Sequence, residues 1–369
     1  MSRTSLFTRA LVMAATAAVI ATGCSSSSSS HQPTAVNAAA TATTAPAAAS
    51  TGSLPTVTLM VGGIDKQIYL PYQLAQGLGY YKKYGVNVVL STEQSGGVGA
   101  EDAVASGQVN MAGAWYVHTI DFQQHGKNVI DVVQLSGAPG EREMCANGTT
   151  ITSPAQWAGK SVGVTDLGSG TDDLTLYMAA KSGLSSKQFN RIGVGAGTTL
   201  VAALQHGKIV CGMTTQPTVT AIEQQHIGYS AIDLSSTAGT QQWLGGTYPT
   251  ASVLALSSWV DSNRDTVQKV VDALVATMHY INTHSAADIV NYLPAQFVAN
   301  GLTTKADYIK ALDADKGQFL PDGMMPANGP ATVLAIDKAA GKITGTVDLT
   351  TTYTNDFAIA ANKLEGFTS

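Results

Sequence analysis

Gly168-Ser169-Gly170-Thr171 is the stretch best suited to hold a ligand. It opens a helix pattern, and Ser169 or Thr171 can cap that helix. The free backbone N–H groups of a helix start can hold an anion. Asp172 and Asp173 follow in the first turn. They favour the helix and would repel an anion, so an ordinary capped helix start is the competing reading. Ser95-Gly96-Gly97-Val98-Gly99 is a similar loop earlier in the chain. It lacks the GK[ST] ending of a nucleotide loop, so ATP is not expected. Trp115-Tyr116 follows a strand, where the pair could stack a flat ligand or line an apolar pocket. Helix-on-sheet packing is the alternative. Tyr69, before Pro71, is a weaker candidate, and Tyr248, before Pro249, suits a hinge or a pocket wall. Gly193-Val-Gly195-Ala-Gly197 has GxGxG spacing rather than GxGxxG and no evident acidic ribose partner.

Catalytic chemistry has little support. The seven histidines are scattered, and His118 and His125 lack the i,i+4 spacing of a helical metal pair. No Cys/His cluster and no GxSxG elbow are present. Neither a metal nor a cofactor is expected, and the histidines read as surface or packing residues.

The elements that must position these loops form a repeat. Val57 to Val61 reads as a strand, Pro71 to Lys83 as a helix and Val86 to Leu90 as a strand. A short helix and a strand at Val109 to Gly113 complete β-α-β-α-β. The order recurs over Ser161 to Thr165, Thr171 to Ser182, Arg191 to Val194, Thr199 to His206 and Ile209 to Thr214. Such alternation implies an α/β fold with parallel sheets. Ala103-Val-Ala-Ser-Gly107-Gln-Val109 aligns with Ala203-Leu-Gln-His-Gly207-Lys-Ile209, at an offset of 100 residues. Each glycine suits a left-handed helix C-cap. Two homologous Rossmann-like lobes are therefore expected, with the ligand cleft between them at the strand carboxyl ends. After about Ala255 the chain reads as helices, Asp265 to His284, Ala286 to Tyr292 and Lys305 to Asp313, which should return to the first lobe.

The ends bound the setting. Arg3 and Arg9 precede an apolar run, Ala10 to Ala21, followed by Gly23-Cys24. These are the parts of a secretory signal. The run falls short of the ~20 apolar residues that span a bilayer. A cleavage site ending at Cys24 resembles a lipoprotein signal, with Ala21 where leucine is more usual. Cys24 would then carry the lipid. From Ser25 to about Pro55 the chain is almost wholly Ser, Ala and Thr, a composition that makes a flexible tether. The expected organisation is a signal peptide over 1–23 and a tether over 24–55. Lobe 1 spans 56–140 plus 255–369, and lobe 2 spans 141–254. Without Arg3 and Arg9, the 20 basic residues fall to 18 against 25 acidic ones, a net charge of −7. That argues against nucleic acid as a partner. Cys145 and Cys211 remain as an even pair in an exported chain, which suggests a disulfide, with two buried thiols as the alternative.

Ile68-Tyr69-Leu70-Pro71-Tyr72-Gln73-Leu74-Ala75-Gln76-Gly77-Leu78-Gly79-Tyr80-Tyr81-Lys82-Lys83-Tyr84-Gly85-Val86 resembles the opening helix of nitrate/sulfonate/taurine-type ABC solute-binding proteins. Tyr81 stands where that family more often has Phe. Ala103 to Asn110 resembles its Ala-Leu-x-x-Gly-x-x-Asp, with Asn110 for Asp, and Trp157-Ala158-Gly159-Lys160 its Leu-x-Gly-Lys. The resemblance runs from about Val57 to Phe357. It implies a periplasmic-binding-protein-like type II fold that closes on a small molecule. It also implies a monomer, anchored outside the cell membrane, that delivers to a permease with a cytoplasmic ATPase. The ligand contacts it implies are Gln67, Tyr69, Ser95, Gly96, Gly97, Ala114, Trp115, Gly137, Ser169, Gly170, Thr171, Gln216 and Pro217. It places Cys145 and Cys211 on neighbouring strands, and so a Cys145–Cys211 bond. Enzymes on the same fold, pyrimidine synthases and desulfinases, work in the cytoplasm, and the export signal tells against them. A ligand sensor for a membrane receptor is a further alternative. Among the predicted loops only Lys66 and Arg142 supply cations, and both read equally well as surface charge. The ligand class therefore stays open among sulfonates, carboxylates and aromatic or heterocyclic compounds.

Overall fold

The computed structural model describes residues 53–93 and 98–367. Cys24, the tether up to residue 52, Ser95, Gly96 and Gly97 lie outside them. Ten strands form two five-stranded sheets. The first has the order β2-β1-β3-β10-β4, from Asn87–Glu93, Thr56–Gly62, Met111–Trp115, Ala251–Leu256 and Val129–Gln134. The second has the order β7-β6-β8-β5-β9, from Asn190–Gly193, Ser161–Val164, Cys211–Thr215, Glu141–Ala146 and Gly228–Asp233.

The sheets share one topology, and it corrects the expectation of purely parallel sheets. In each, three strands run parallel. A fourth lies antiparallel between the third strand and the edge. That fourth strand is the one that has crossed from the other lobe: β10 returning to the first sheet, β5 entering the second. The return also corrects the lobe boundary at 254/255, because β10 already belongs to the first sheet from Ala251.

The 100-residue repeat is visible in space. Helices Val98–Ala105 and Thr198–Gln205 each end before a left-handed glycine, Gly107 at φ +76° and Gly207 at φ +64°. Strands β3 and β8 then follow at the same offset. Asn110, the departure from the family's Asp, accepts hydrogen bonds from the Thr58 N–H at 2.9 Å and the Thr58 hydroxyl at 3.0 Å. An amide oxygen thus ties the turn before β3 to β1 without a charge.

The opening helix is interrupted. Leu70–Gly77 and Tyr80–Lys83 are separated by Gly79 at φ +72°, a conformation costly for residues with a Cβ. The amphipathic helix Arg264–Thr283 buries Val267, Val270, Val271, Leu274 and Met278. It packs against the first lobe's helices Leu70–Gly77 and Asp356–Glu365. No helix among the described residues is long and apolar enough to cross a membrane.

Cys145 and Cys211 face each other in the β5–β8 register and are joined by a disulfide. The bond ties the crossing strand to the middle of the second sheet and closes a long chain segment, 66 residues in sequence separation. Replacing both cysteines by alanine is expected to lower unfolding free energy by about 2–4 kcal/mol. Guanidinium titration of the two proteins measures the difference, and equal midpoints would show that the bond contributes nothing.

Candidate ligand-binding cleft

The carboxyl ends of β1, β3 and β6 and the first residue of β5 meet where the two lobes face each other. Tyr69, Trp115, Ser169, Gly170 and Thr171 converge there on one small void, together with Lys66, Glu101, His118, Glu141 and Thr165. The void measures about 10 Å³, room for about one water molecule.

The second lobe contributes the start of helix Gly170–Lys181. Ser169 is its N-cap, extended at φ −74°, ψ 165°, and accepts from the Asp172 N–H. The hydroxyls of Thr165, Ser169 and Thr171 form a triangle at 2.9–3.0 Å, and the Thr165 N–H donates to Thr171 Oγ1 at 3.0 Å. The feared repulsion from the first-turn carboxylates is removed by pairing. Asp172 binds Arg191 and Asp173 binds Lys342. The helix start therefore keeps its positive end.

The first lobe contributes Trp115, which is only 6 % exposed. Its ring packs directly against Gly170: a Cβ there would come within 2.0 Å of Trp115 Cε3. Tyr248 meets the indole edge-on at 6.4 Å between centroids. Lys66, half-buried, donates to the Gly62 carbonyl at 2.9 Å and sits 5.7 Å from the Tyr69 ring centre. Burial lowers its pKa, partly offset by Glu141 and Glu93.

His118 was expected to be a surface or packing residue, and the structure corrects this. It is 4 % exposed, with Nε2 2.8 Å from Glu101 and Nδ1 3.4 Å from Asp121. Burial alone would lower its pKa. The two carboxylates outweigh burial and raise it to about 10. The Glu101–His118 pair separates the void from a wider recess of about 770 Å³ between helices Val98–Ala105 and Val117–Gln124. That recess touches the second lobe's cleft loop through Gly168 alone. The smaller void is the one placed where ligands bind in such sheets, beyond the strand ends and between lobes.

Other sequence candidates do not reach the void. Tyr116 points the opposite way from Trp115. Its hydroxyl is 2.6 Å from Thr352 Oγ1 and its ring meets Tyr353 edge-on. β3 ends at Trp115, and Tyr116 already has helical dihedrals, φ −52° and ψ −36°, as the cap of helix Val117–Gln124, so the chain turns between the two side chains. Ala114 is buried in the apolar cluster behind the sheet. The Gly137 N–H donates to the Gln318 carbonyl, between Leu320 and Thr247. Gln67 is buried and donates to the Tyr308 carbonyl at 3.4 Å.

Gln67, Gln216 and Pro217 serve instead where the lobes touch. The Gln67 N–H donates to the Gln216 carbonyl at 2.9 Å, just before the cis Gln216–Pro217 bond. The Gln216 side chain accepts from the N–H and hydroxyl of Thr220. Arg142 of β5 grips Asp315 with two hydrogen bonds, 2.7 and 2.8 Å. Burial opposes its charge, and Asp315 with Asp233 holds it. Arg142 is a latch rather than surface charge.

The profile of the NMT1/THI5-like family matches residues 68–287, more than half of the chain. The chain belongs to that family. A structure from Bordetella bronchiseptica RB50 is 28 % identical, with a TM-score of 0.77 over 84 % of this chain and 98 % of that one. The nitrate-binding protein of Synechocystis PCC 6803 superposes with a TM-score of 0.65 at 16 % identity, covering 84 % and 89 %. The alkanesulfonate-binding protein of Xanthomonas axonopodis pv. citri, bound to MOPS, gives 0.63 at 15 %, covering 82 % and 99 %. No curated protein matches the chain in sequence. This NMT1/THI5-like chain thus has the periplasmic-binding-protein-like fold of two α/β lobes on mixed sheets, as its sequence resemblance implied. Among its described residues no group of three or more His, Cys, Asp or Glu is arranged to hold a metal.

Proposed function

We propose that this chain is the extracytoplasmic solute-binding component of an ABC importer. It captures a small organic molecule between its lobes and hands it to a permease driven by a cytoplasmic ATPase. In this reading the protein is a monomer, tethered to the bacterial membrane through a lipid on Cys24, and it carries out no reaction. The observation that carries it is the convergence of both lobes on one void. Strand ends of one sheet and a capped helix start of the other share it, under latches that a hinge can break. A void with room for one water admits no solute, so uptake and release require the lobes to part. Tyr69, Trp115, Ser169, Gly170 and Thr171 are assigned to the solute, and Lys66 and Thr165 join them. Lobe boundaries near 140 and 250 set the hinge.

Ligand binding to the folded state raises apparent stability, so a thermal-shift screen over sulfonates, aromatic acids and nitrogen heterocycles is the direct test. The compound that shifts the wild type should bind Trp115→Ala at least ~10-fold more weakly, about 1.4 kcal/mol. Unchanged affinity in calorimetry would remove Trp115 from the binding surface.

A further inference from the structure

Among the described residues lining the void, Glu141 alone carries a buried side-chain oxygen with no hydrogen-bond partner. It is 2 % exposed and opens β5, the strand that enters the second lobe. The hydrogen bonds of the donors around it go to other acceptors. Lys66 donates to the Gly62 carbonyl. Arg142 is held by Asp315 and Asp233. His118 is held by Glu101 and Asp121. The Thr165, Ser169 and Thr171 hydroxyls bond one another. Glu143, on the same strand, is a second buried carboxyl that burial pushes well above the usual range, and neither of its oxygens has a hydrogen-bond partner, so it does not satisfy Glu141.

An unmet buried acceptor is a liability that an incoming donor removes. A plain oxyanion would place a like charge beside the ionised carboxylate and could be met only by its protonated form. We propose that the solute presents a nitrogen-bound proton, from an amine or amidine group, to the Glu141 carboxylate. The proposal rests on the solute-binding reading above and narrows it. It places nitrogen bases ahead of simple sulfonates and nitrate, and it makes Glu141 the specificity-determining residue. The aromatic wall of Trp115 and Tyr69 gives a flat amidine-type group a surface to lie on.

The geometry also sets the sign of proton linkage. Burial raises the Glu141 pKa to about 7, against the favourable charges of Lys66 and Arg142. At pH 7 roughly half of the molecules hold this carboxyl protonated. A solute that donates to Glu141 selects the ionised form and releases a fraction of a proton. A solute that only accepts selects the protonated form and takes one up.

The test uses benzamidine and 4-aminopyrimidine as donor probes, with ethanesulfonate and nitrate as oxyanion probes, on the mature protein and on Glu141→Gln. Calorimetry at pH 7 in buffers of different ionisation enthalpy gives affinity and proton balance. The expected result is binding of a donor probe with proton release, and at least ~10-fold weaker binding to Glu141→Gln with that release gone. Glu141→Gln keeps the side-chain shape, and an unchanged melting temperature shows that it folds. Ethanesulfonate or nitrate binding equally well to both proteins would overturn the inference and leave the solute-binding reading standing. Donor-probe binding with proton uptake abolished by Glu141→Gln would likewise overturn it. Failure of all four probes would count against both.

Discussion

Gly170→Ala is expected to abolish solute capture while leaving both lobes folded. A Cβ at position 170 would lie 2.0 Å from Trp115 Cε3 and 2.6 Å from Cζ3. Carbon atoms in contact settle near 3.5–4.0 Å, so the lobes must part by roughly 1.5 Å at this point. The indole has nowhere to retreat, being buried and braced edge-on by Tyr248. The substitution should not harm the second lobe itself. Gly170 is the first residue of a helix and is not left-handed, and alanine is the better helix former. Affinity for any solute trapped by closure should fall by about 100-fold, near 2.7 kcal/mol. Small-angle scattering of the ligand-saturated protein should show a larger radius of gyration than wild type. Trimming the opposing ring, as in the double variant Gly170→Ala with Trp115→Phe, should bring the compact form back even if affinity recovers only in part. A Gly170→Ala protein that binds at full strength and stays compact would show that the Trp115–Gly170 contact is absent from the bound form.

How far the cleft could be read in the sequence depends on the range of the interactions that build it. The repeat carried the fold, because two helix–glycine–strand segments 100 residues apart are a local pattern seen twice. The capped start at Ser169 was legible for the same reason. The crossing strands were harder. The crossing strand itself is legible at Ser252 to Leu256, one residue short of β10, but the lobe boundary set at 254/255 cuts it, because a strand buried on both faces has no alternation to mark its sheet. The charges were hardest. Glu101 and His118 sit on different helices and meet only when both pack on β3 and its neighbours, so no spacing announces them. Lys342 reaches Asp173 across 169 residues. The choice between Trp115 and Tyr116 turns on where β3 ends: Trp115 is its last residue and Tyr116 already has helical dihedrals, a boundary the residue types do not mark.

Those long-range charges lead to the second large expectation: stability should decline steadily as pH rises from about 5 to 9. Asp173 of the second lobe, Asp121, Lys342 and Asp337 gather where helices Gly170–Lys181, Val117–Gln124 and Gly329–Ala339 pack together, with His118 and Tyr248 beside them. Burial raises Asp173 to about 7, although Lys342 pulls it back. Burial, with Asp173 and Asp121 nearby, raises Asp337 to about 9. Both Asp337 oxygens are buried without a hydrogen-bond partner. An acid whose folded pKa lies above its unfolded value holds a proton in the folded state that the unfolded chain has lost. Its stabilising effect is complete below about pH 4 and is lost as pH climbs through the folded pKa. His118, raised to about 10 by Glu101 and Asp121 once burial is overcome, acts in the same direction above pH 6.5. Asp121 has a lowered pKa, and its opposite effect falls near and below pH 4, outside this window. Near pH 8 the folded state should therefore hold about one extra proton or more, which corresponds to roughly 1.4 kcal/mol lost per pH unit and per proton. Asp337→Asn keeps the shape, removes the titrating group and should flatten the curve between pH 6 and 9 while raising stability at the alkaline end. Urea unfolding at four or five pH values reads the slope directly. A wild-type curve that is level or rises over this range would mean that the buried carboxyls are ionised and otherwise compensated. A normal slope in Asp337→Asn would move the proton to Asp173 or His118. Because Asp173 and Lys342 meet across the cleft, the same protons should also favour lobe closure, and solute affinity should weaken with alkaline pH in step with stability wherever the Glu141 contribution is removed.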